Sequence, residues 1–493
     1  MDGTILSVIT FLPLLAALVV SLLPRANASV LRGGALLFAL VELVVAFGIV
    51  NVDPSGAMSF VERHAWVSAF GIDYGLAVDG ISMPLVLLSC LIVPIVIATT
   101  FNLVQPDRLK EYLVLLLIMQ TGMIGVFAST DIILFYVFFE LTLVPLYFLI
   151  GMFGGQRRIY AAFKFFLFTA AGSLPMLISI LYLMWHHKQT MGAYSASIDD
   201  LRAMTLGSTE QMWVFAGFAA AFAIKVPMFP VHTWLPDAHV EAPTGGSIVL
   251  AAIMLKLGTY GFLRIAMPIL PDATREWAGP LLTLSVIAVI YGAYLAWAQT
   301  DLKKLVACSS ISHMGFVTIG LFALEPDAVR GAVLQMLNHG ISTGALFLIV
   351  GAIYERRHKR GIDDFGGLCK VAPALGLALI ITSLSAIGLP GLNGFVGEVM
   401  ILVGAFQTHP WVAVLAASGV LLGAIYMLQM VRRVCYGKPN SPEAAELTDM
   451  NLVEKLAFAP LVVLMFWIGL QPGFLLDRIG PSVDLILNAM GNS

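Results

Sequence analysis

Long apolar runs separated by short polar connections dominate the chain. A helix crossing about 30 Å of hydrocarbon needs roughly 20 mostly apolar residues. Runs of that length fall at 3–23, 30–50, 79–101, 112–129, 131–151, 160–184, 211–231, 244–267, 278–298, 304–323, 329–354, 371–406, 411–431 and 453–473. The pattern predicts an all-α polytopic membrane protein of about fourteen transmembrane helices. The fourth and fifth runs are joined only by a tight turn near Ser129–Asp131, and the twelfth is too long for one straight helix. No soluble domain is visible. The longest stretches without a helical pattern lie near 51–78, 185–210 and 432–452.

Breaks interrupt two of the runs. The seventh carries Lys225-Val-Pro-Met-Phe-Pro230, whose prolines remove backbone donors and kink or end a helix. The twelfth carries Gly388-Leu-Pro-Gly-Leu-Asn-Gly-Phe-Val-Gly397. A nucleotide-binding glycine loop is the rival reading there, but no strand precedes it. Unwound backbone at membrane depth is tolerated only inside protein or beside a wet cavity. The breaks lie five spans apart, each beside an ionisable residue, which points to internal repeats. Five helices per unit is an odd number, so the second unit is inverted. The expected organisation is helices 1–3 over 1–111, a first five-helix repeat over 112–267, a second, inverted one over 278–435, and a last helix and tail over 453–493.

Composition agrees with the pattern. The 493 residues are 59% hydrophobic and 12% charged, against about 25% charged in ordinary soluble domains. Lys and Arg favour cytoplasmic loops. Alternate loops hold 18 and 7 of them, which puts both termini on the side away from the cytoplasm. The N-terminal run lacks a basic leader and reads as a retained helix; no transit peptide precedes it, which favours a bacterial origin, with both termini on the periplasmic side of the inner membrane, or organelle-encoded synthesis. Cys90, Cys308, Cys369 and Cys435 are far apart with no CxxC pairing, which supports neither an iron–sulfur nor a zinc site.

Charges at bilayer depth are costly and mark function by default. The candidates for such buried groups are Glu42, Glu140, Lys164, Lys225, Lys256, His313, His339 and Glu398. Lys256 lies about 12 residues, or roughly 18 Å, from either end of its span, too far to snorkel. Lys164 is near the end of its span and within reach of the surface. Glu42 faces apolar sequence without an obvious partner. Glu140, Lys225, Lys256, His313, His339 and Glu398 share a similar depth and suit a lateral row that hands protons along. A carboxylate raises a lysine's pKa while burial lowers it, so a Glu140–Lys225 pair that closes and opens would toggle the lysine. Histidine titrates near neutrality and suits a relay. His232, in the polar segment 232–241, is a further candidate on the proton path. That segment reads as a constrained turn. A metal site from His232, His239 and Glu241 fits no standard spacing.

The stretches Phe139-Glu-Leu-Thr-Leu-Val-Pro-Leu-Tyr147, Lys225-Val-Pro-Met-Phe-Pro-Val-His-Thr-Trp-Leu-Pro-Asp-Ala-His239, Leu255-Lys-Leu-Gly-Thr-Tyr-Gly-Phe-Leu-Arg264 and Asn338-His-Gly340 resemble the antiporter-like subunits of respiratory complex I. Among them, Glu398 stands where sister chains carry a lysine, and the chain stops soon after span 14, where one sister continues into a lateral helix. The resemblance implies fourteen helices, two inverted five-helix repeats and broken helices 7 and 12. It implies that Glu140 and Lys225 form the controlling pair, that Lys256, His313 and His339 connect, and that Glu398 lies toward the outlet. The implied activity is proton translocation coupled to NADH oxidation and quinone reduction. FMN, iron–sulfur clusters and quinone would belong to partner subunits, with no cofactor or metal in this chain. Expected partners are the other membrane subunits, especially the two sister antiporter-like chains, and the lipid bilayer; no nucleic acid is expected. The alternative is a subunit of an Mrp-type sodium/proton antiporter, which shares the ancestry.

Overall fold

The computed structural model describes residues 3–25, 27–100 and 106–491. Phe101, the expected end of the third span, lies outside them. The chain is mostly helical. Among the described residues, twelve helices are long and apolar enough to cross a membrane. They are α1 (Ile5–Leu22), α2 (Ala28–Ile49), α3 (Ser82–Thr99), α4 (Leu109–Ala128), α5 (Ile132–Phe153), α6 (Arg158–Met191), α9 (Thr244–Ile269), α10 (Pro271–Trp297), α11 (Leu302–Phe322), α12 (Pro326–Arg357), α15 (Pro410–Cys435) and α16 (Leu452–Leu470). The expected seventh and twelfth spans are missing from that set. Each is divided, as α7 (Ser208–Lys225) with α8 (Trp234–Glu241), and as α13 (Pro373–Ala386) with α14 (Asn393–Thr408). α7 is long enough but carries Glu210, Gln211 and Lys225, whereas α13 and α14 are each shorter than a span.

Several details differ from the pattern-based expectation. Residues 232–241 are not a turn: α8 takes up most of them. The stretch 51–78 contains an antiparallel hairpin, β1 (Ser59–Val67) with β2 (Ile72–Val78). The sixth span continues to Met191, and the tail forms an amphipathic helix, α17 (Gly473–Ala489). Glu42 does have partners: its carboxylate accepts from Gln120 Nε2 at 2.8 Å and from the Cys90 thiol at 3.5 Å.

Burial is graded across the bundle. The apolar windows of α9, α11 and α12 are fully enclosed, whereas those of α2, α15 and α16 are only one-third buried. The enclosed helices form the centre of the bundle, and α2, α15 and α16 lie at its outside. Helices without a net hydrophobic drive in lipid pack through small residues. Gly340 of α12 is one: a Cβ there would lie 2.7 Å from the Ala252 carbonyl oxygen of α9.

Two short backbone staples recur. The turn Thr130–Asp131 before α5 pairs with Ala196–Ile198 ahead of α7: Ile132 N donates to Ala196 O at 2.8 Å, and Ile198 N to Thr130 O at 3.0 Å. The turn Thr300–Asp301 before α11 pairs with Arg360–Ile362 ahead of α13: Leu302 N donates to Arg360 O and Ile362 N to Thr300 O, both at 2.8 Å. Asp131 and Asp301 each cap the helix that follows, accepting amide hydrogen bonds as N-cap aspartates do. Thr130 and Ile198 line one cavity with Arg264 and Pro268 from the end of α9. Arg360 and Lys303 line another with Thr244 from its start. About twenty helical residues, roughly 30 Å at 1.5 Å each, separate the two staples, so they sit at opposite ends of the bundle.

Candidate functional site

At the first break, Pro227 and Pro230 have no amide hydrogen to continue α7. Met228 N takes the Ala223 carbonyl that Pro227 cannot meet, at 2.8 Å, and the Ile224 carbonyl so left accepts from the Trp234 indole Nε1 at 2.9 Å; Trp234 is fully buried. α7 therefore ends with its last side chain, Lys225, 1% exposed and aimed at α5. Lys225 Nζ donates to Thr142 Oγ1 at 3.3 Å and lies 4.8 Å from the centre of the Phe139 ring. A cation held over a ring face is attracted by the ring quadrupole. Glu140 stands between those two residues in the chain, with Lys225 and Ser173 as the polar groups that face it. Its Oε1 is buried without a partner. The expected Glu140–Lys225 contact is open here: among the described residues the two form no ion pair within 4.0 Å, and Lys225 holds onto a hydroxyl and an aromatic face instead.

Lys256 is fully buried at the centre of α9. Widened helical turns at Leu250–Met254 and Phe262–Ala266 flank it; such turns gather at functional positions. Its Nζ donates to the Ala251 carbonyl within the first of them and lies 2.7 Å from His339 Nδ1. The close approach allowed by Gly340 is what brings His339 within reach. The His339 and His313 rings are 5.9 Å apart, centre to centre. His313 Nδ1 lies 3.3 Å from Glu398 Oε1, which also accepts from Gln335 Nε2 at 3.2 Å. Glu398 is 4% exposed. A Cβ at Gly388, where φ is +71°, would fall 2.8 Å from Glu398 Oε2. Glycine there serves both the left-handed backbone and the room for the carboxylate.

The structure thus joins Lys256, His339, His313 and Glu398 in one run of contacts and places Lys225 with Glu140 at a separate post. Between the two groups α7 and α9 pack at Gly258, whose Cβ would lie 3.1 Å from Lys225 Cβ, and no polar side chain bridges them among the described residues. His232 is not in contact with the row: it stacks on Phe229 at 5.7 Å and meets the Tyr291 edge at 5.4 Å. Lys164 is taken up by Asp237 at 2.6 Å. Among the described residues no cluster of three or more His, Cys, Asp or Glu could hold a metal ion.

A neutral polar network around the second break escaped the sequence reading. Asn338 Nδ2 donates to Gln335 Oε1 at 3.2 Å and to Asn393 O at 2.7 Å. Asn393 Oδ1 accepts from Ser385 Oγ at 2.6 Å, and Ser385 meets Ser342 at 2.6 Å. Gln335, Asn338, His339 and Ser342 follow the i, i+3, i+4, i+7 spacing of one helix face, a polar stripe that could have exposed the network. His239, fully buried with both ring nitrogens unpartnered and stacked on Phe347 at 4.6 Å, was likewise missed as a member of this interior. So was the ion pair of Asp79 with Arg264, buried near one end of α9.

Known proteins place this geometry. Residues 129–423 match the family described as NADH:quinone oxidoreductase/Mrp antiporter, transmembrane, and residues 49–126 match the amino terminus of NADH-ubiquinone oxidoreductase chain 4. NADH-quinone oxidoreductase subunit M of Rhodobacter capsulatus is 44% identical, covering 97% of this chain and 95% of that one. A chain of respiratory complex I from Thermus thermophilus superimposes with a TM-score of 0.90 at 32% identity, over 99% of this chain and 100% of that one. A chain of the Mrp complex from Dietzia sp. DQ12-45-1b shares the fold, with a TM-score of 0.86 at 18% identity over 99% of each chain. The chain belongs to the subunit M, or chain 4, family of NADH-quinone oxidoreductase, the antiporter-like membrane subunits of respiratory complex I.

Proposed function

We propose that this chain carries protons across the membrane as a subunit of NADH-quinone oxidoreductase, through a midplane row of Glu140, Lys225, Lys256, His339, His313 and Glu398. One observation carries the reading: Lys256, His339, His313 and Glu398 touch in sequence inside fully enclosed helices. A structural core has no use for four ionisable groups in series at bilayer depth. His339 Nε2 and His313 Nε2 are both buried without partners. A cavity of about 10 Å³ bordered by both residues, with Asn338 and Ser342, has room for one water. A bridging water would close the histidine gap, with protons passing by single hydrogen-bond steps.

Lys225 is the switch in this reading. With Glu140 apart, its ammonium is held by a hydroxyl and a ring face only. With Glu140 closed upon it, a carboxylate would balance the charge. A two-unit pKa change is worth about 2.7 kcal/mol. That matches the roughly 2.3 kcal/mol needed to move one charge against 100 mV. NADH oxidation and quinone reduction in partner subunits would supply the bias, with FMN and iron–sulfur clusters held there. The two staples at opposite ends, each entering a broken helix, support two inverted five-helix units over 112–267 and 278–435 within a fourteen-helix chain, flanked by 1–111 and 453–493. The loop charge asymmetry supports termini that face away from the cytoplasm, and the likeness to bacterial complex I chains supports a bacterial inner-membrane protein with sister antiporter-like subunits as neighbours.

The test is NADH-driven acidification of vesicles containing the purified complex, with NADH oxidation read in parallel. Glu140→Gln or Lys225→Ala should cut proton uptake while the complex still assembles. Undiminished pumping in both variants would reduce the chain to a spacer.

A further inference from the structure

The outer wall of the molecule is open between α2 and α16. α3 and α12 lie behind the gap, leaving a slot of about 260 Å³ whose walls are apolar almost throughout, among them Leu43, Met83, Leu87, Leu464 and Trp467. Phe47 and Phe474, 61% and 39% exposed, stand at its rim, so the slot opens outward toward hydrocarbon. At the end lined by Val50 and Phe474 sits Arg478. Its guanidinium lies 3.9 Å from the centre of the Phe474 ring; Nε donates to Val50 O at 3.2 Å and Nη1 to Phe474 O at 2.9 Å. Among the described residues, the second terminal nitrogen, Nη2, makes no hydrogen bond and no carboxylate lies within 4.0 Å of the group. Arg330, by contrast, is paired with Asp484 of the same tail helix.

Packed interiors leave few voids larger than a water molecule, and water does not fill an apolar one. At bilayer depth the available filler is hydrocarbon. Tail contacts alone give no preference for the slot over bulk bilayer, because lipid tails are as apolar as leucine. Any selectivity must come from the head. An arginine fixed at the rim by a ring and two carbonyls, with a free N–H edge, suits a phosphate group.

We propose that the slot is a phospholipid site: one acyl chain lies between α2 and α16, and the headgroup phosphate rests on Arg478. The site retains its lipid through that contact and favours anionic phosphatidylglycerol over zwitterionic phosphatidylcholine. It owes nothing to the proton row.

The experiment uses the purified complex in phosphatidylcholine vesicles containing a trace of phosphatidylglycerol or phosphatidylcholine with a photoactivatable acyl chain. Labelled peptides are mapped by mass spectrometry, and NADH oxidation reports assembly. The wild type should be labelled at peptides holding Leu87 and Trp467, more by the phosphatidylglycerol probe. Losing a charge-assisted contact should lower that labelling about tenfold in Arg478→Gln, with Arg478→Lys in between. Leu87→Trp, which fills the slot and leaves Arg478 alone, should abolish labelling by both probes. Equal labelling of wild type and Arg478→Gln would overturn the proposal. So would slot peptides that take no lipid label but cross-link to a neighbouring subunit, which would make this face a protein interface.

Discussion

The two breaks solve the same problem with opposite materials. At the first, Lys225 is surrounded by Phe139, Phe165 and a single hydroxyl, and the carboxylate meant for it stands apart. At the second, Glu398 is in contact with His313 and Gln335, and the unwound backbone is tied by Asn338, Asn393, Ser342 and Ser385. A charge with few fixed partners can change partner at little cost, whereas one tied by several hydrogen bonds loses more on moving. In the proposed pathway that difference would make the first break the gate and the second the fixed conductor.

Mutations can break or sharpen this contrast. The largest effect should come from Lys225→Ala, which removes the moving charge. Charge-assisted contacts are worth about 1.5–3 kcal/mol, so NADH-driven acidification should fall roughly 10- to 100-fold. Glu398→Gln should fall less, about tenfold in the same assay, because Gln335 and His313 can still hold an amide in place. If Glu398→Gln costs more than Lys225→Ala, the assignment of gate and conductor is reversed. Thr142→Val takes the hydroxyl from Lys225 and leaves Phe139 and Glu140. We expect a change of about 1 kcal/mol, about fivefold in pumping, with assembly intact on a native gel. Asn393→Ala should leave three buried groups short of a partner. It should lower the thermal inactivation midpoint of the complex, by an amount corresponding to about 1–3 kcal/mol, while Thr142→Val leaves that midpoint in place.

The smallest effect concerns how the second break is held from outside. Asp449, in the loop before α16, caps α13 by accepting from Ala374 N and Leu375 N, both at 3.0 Å. Its partial burial pushes the carboxyl up, but the amides of Ala374, Met450 and Leu375 outweigh that and hold it below the usual carboxylate range. Its contribution is therefore complete above the ordinary aspartate value of about 3.9 and is lost as pH falls through its lowered one. Asp449→Ala should cost about 0.5–2 kcal/mol at neutral pH, read as a small drop in inactivation temperature. The difference from wild type should shrink in acid.

What could be read from the sequence follows the size of the energetic penalty. Lys256, His313, His339 and Glu398 stood out because charge in lipid is expensive, and they do come together. Pro227, Pro230 and Gly388 stood out because they stop helices, and the two divided spans lie where they fall. Neutral amides and hydroxyls such as Asn393 and Ser385 carry a lower penalty and looked like ordinary helix residues. The open Glu140–Lys225 geometry was also hidden. It depends on how α5 presents Phe139 and Thr142 to α7, and residue spacing sets no such rotation. His232 was a candidate because it lies in the polar segment 232–241, but its ring packs against Phe229 and Tyr291. The amphipathic tail helix was too polar for a span and too short to announce itself.

The backbone staples decide where motion can occur. Each ties the segment leading toward a divided helix to the turn two helices earlier, so the two are linked across the end of the bundle. In the proposed pathway, a displacement of either turn would pull on that segment, and the interrupted backbone beside Lys225 or beside Glu398 would be the place of least resistance to bending.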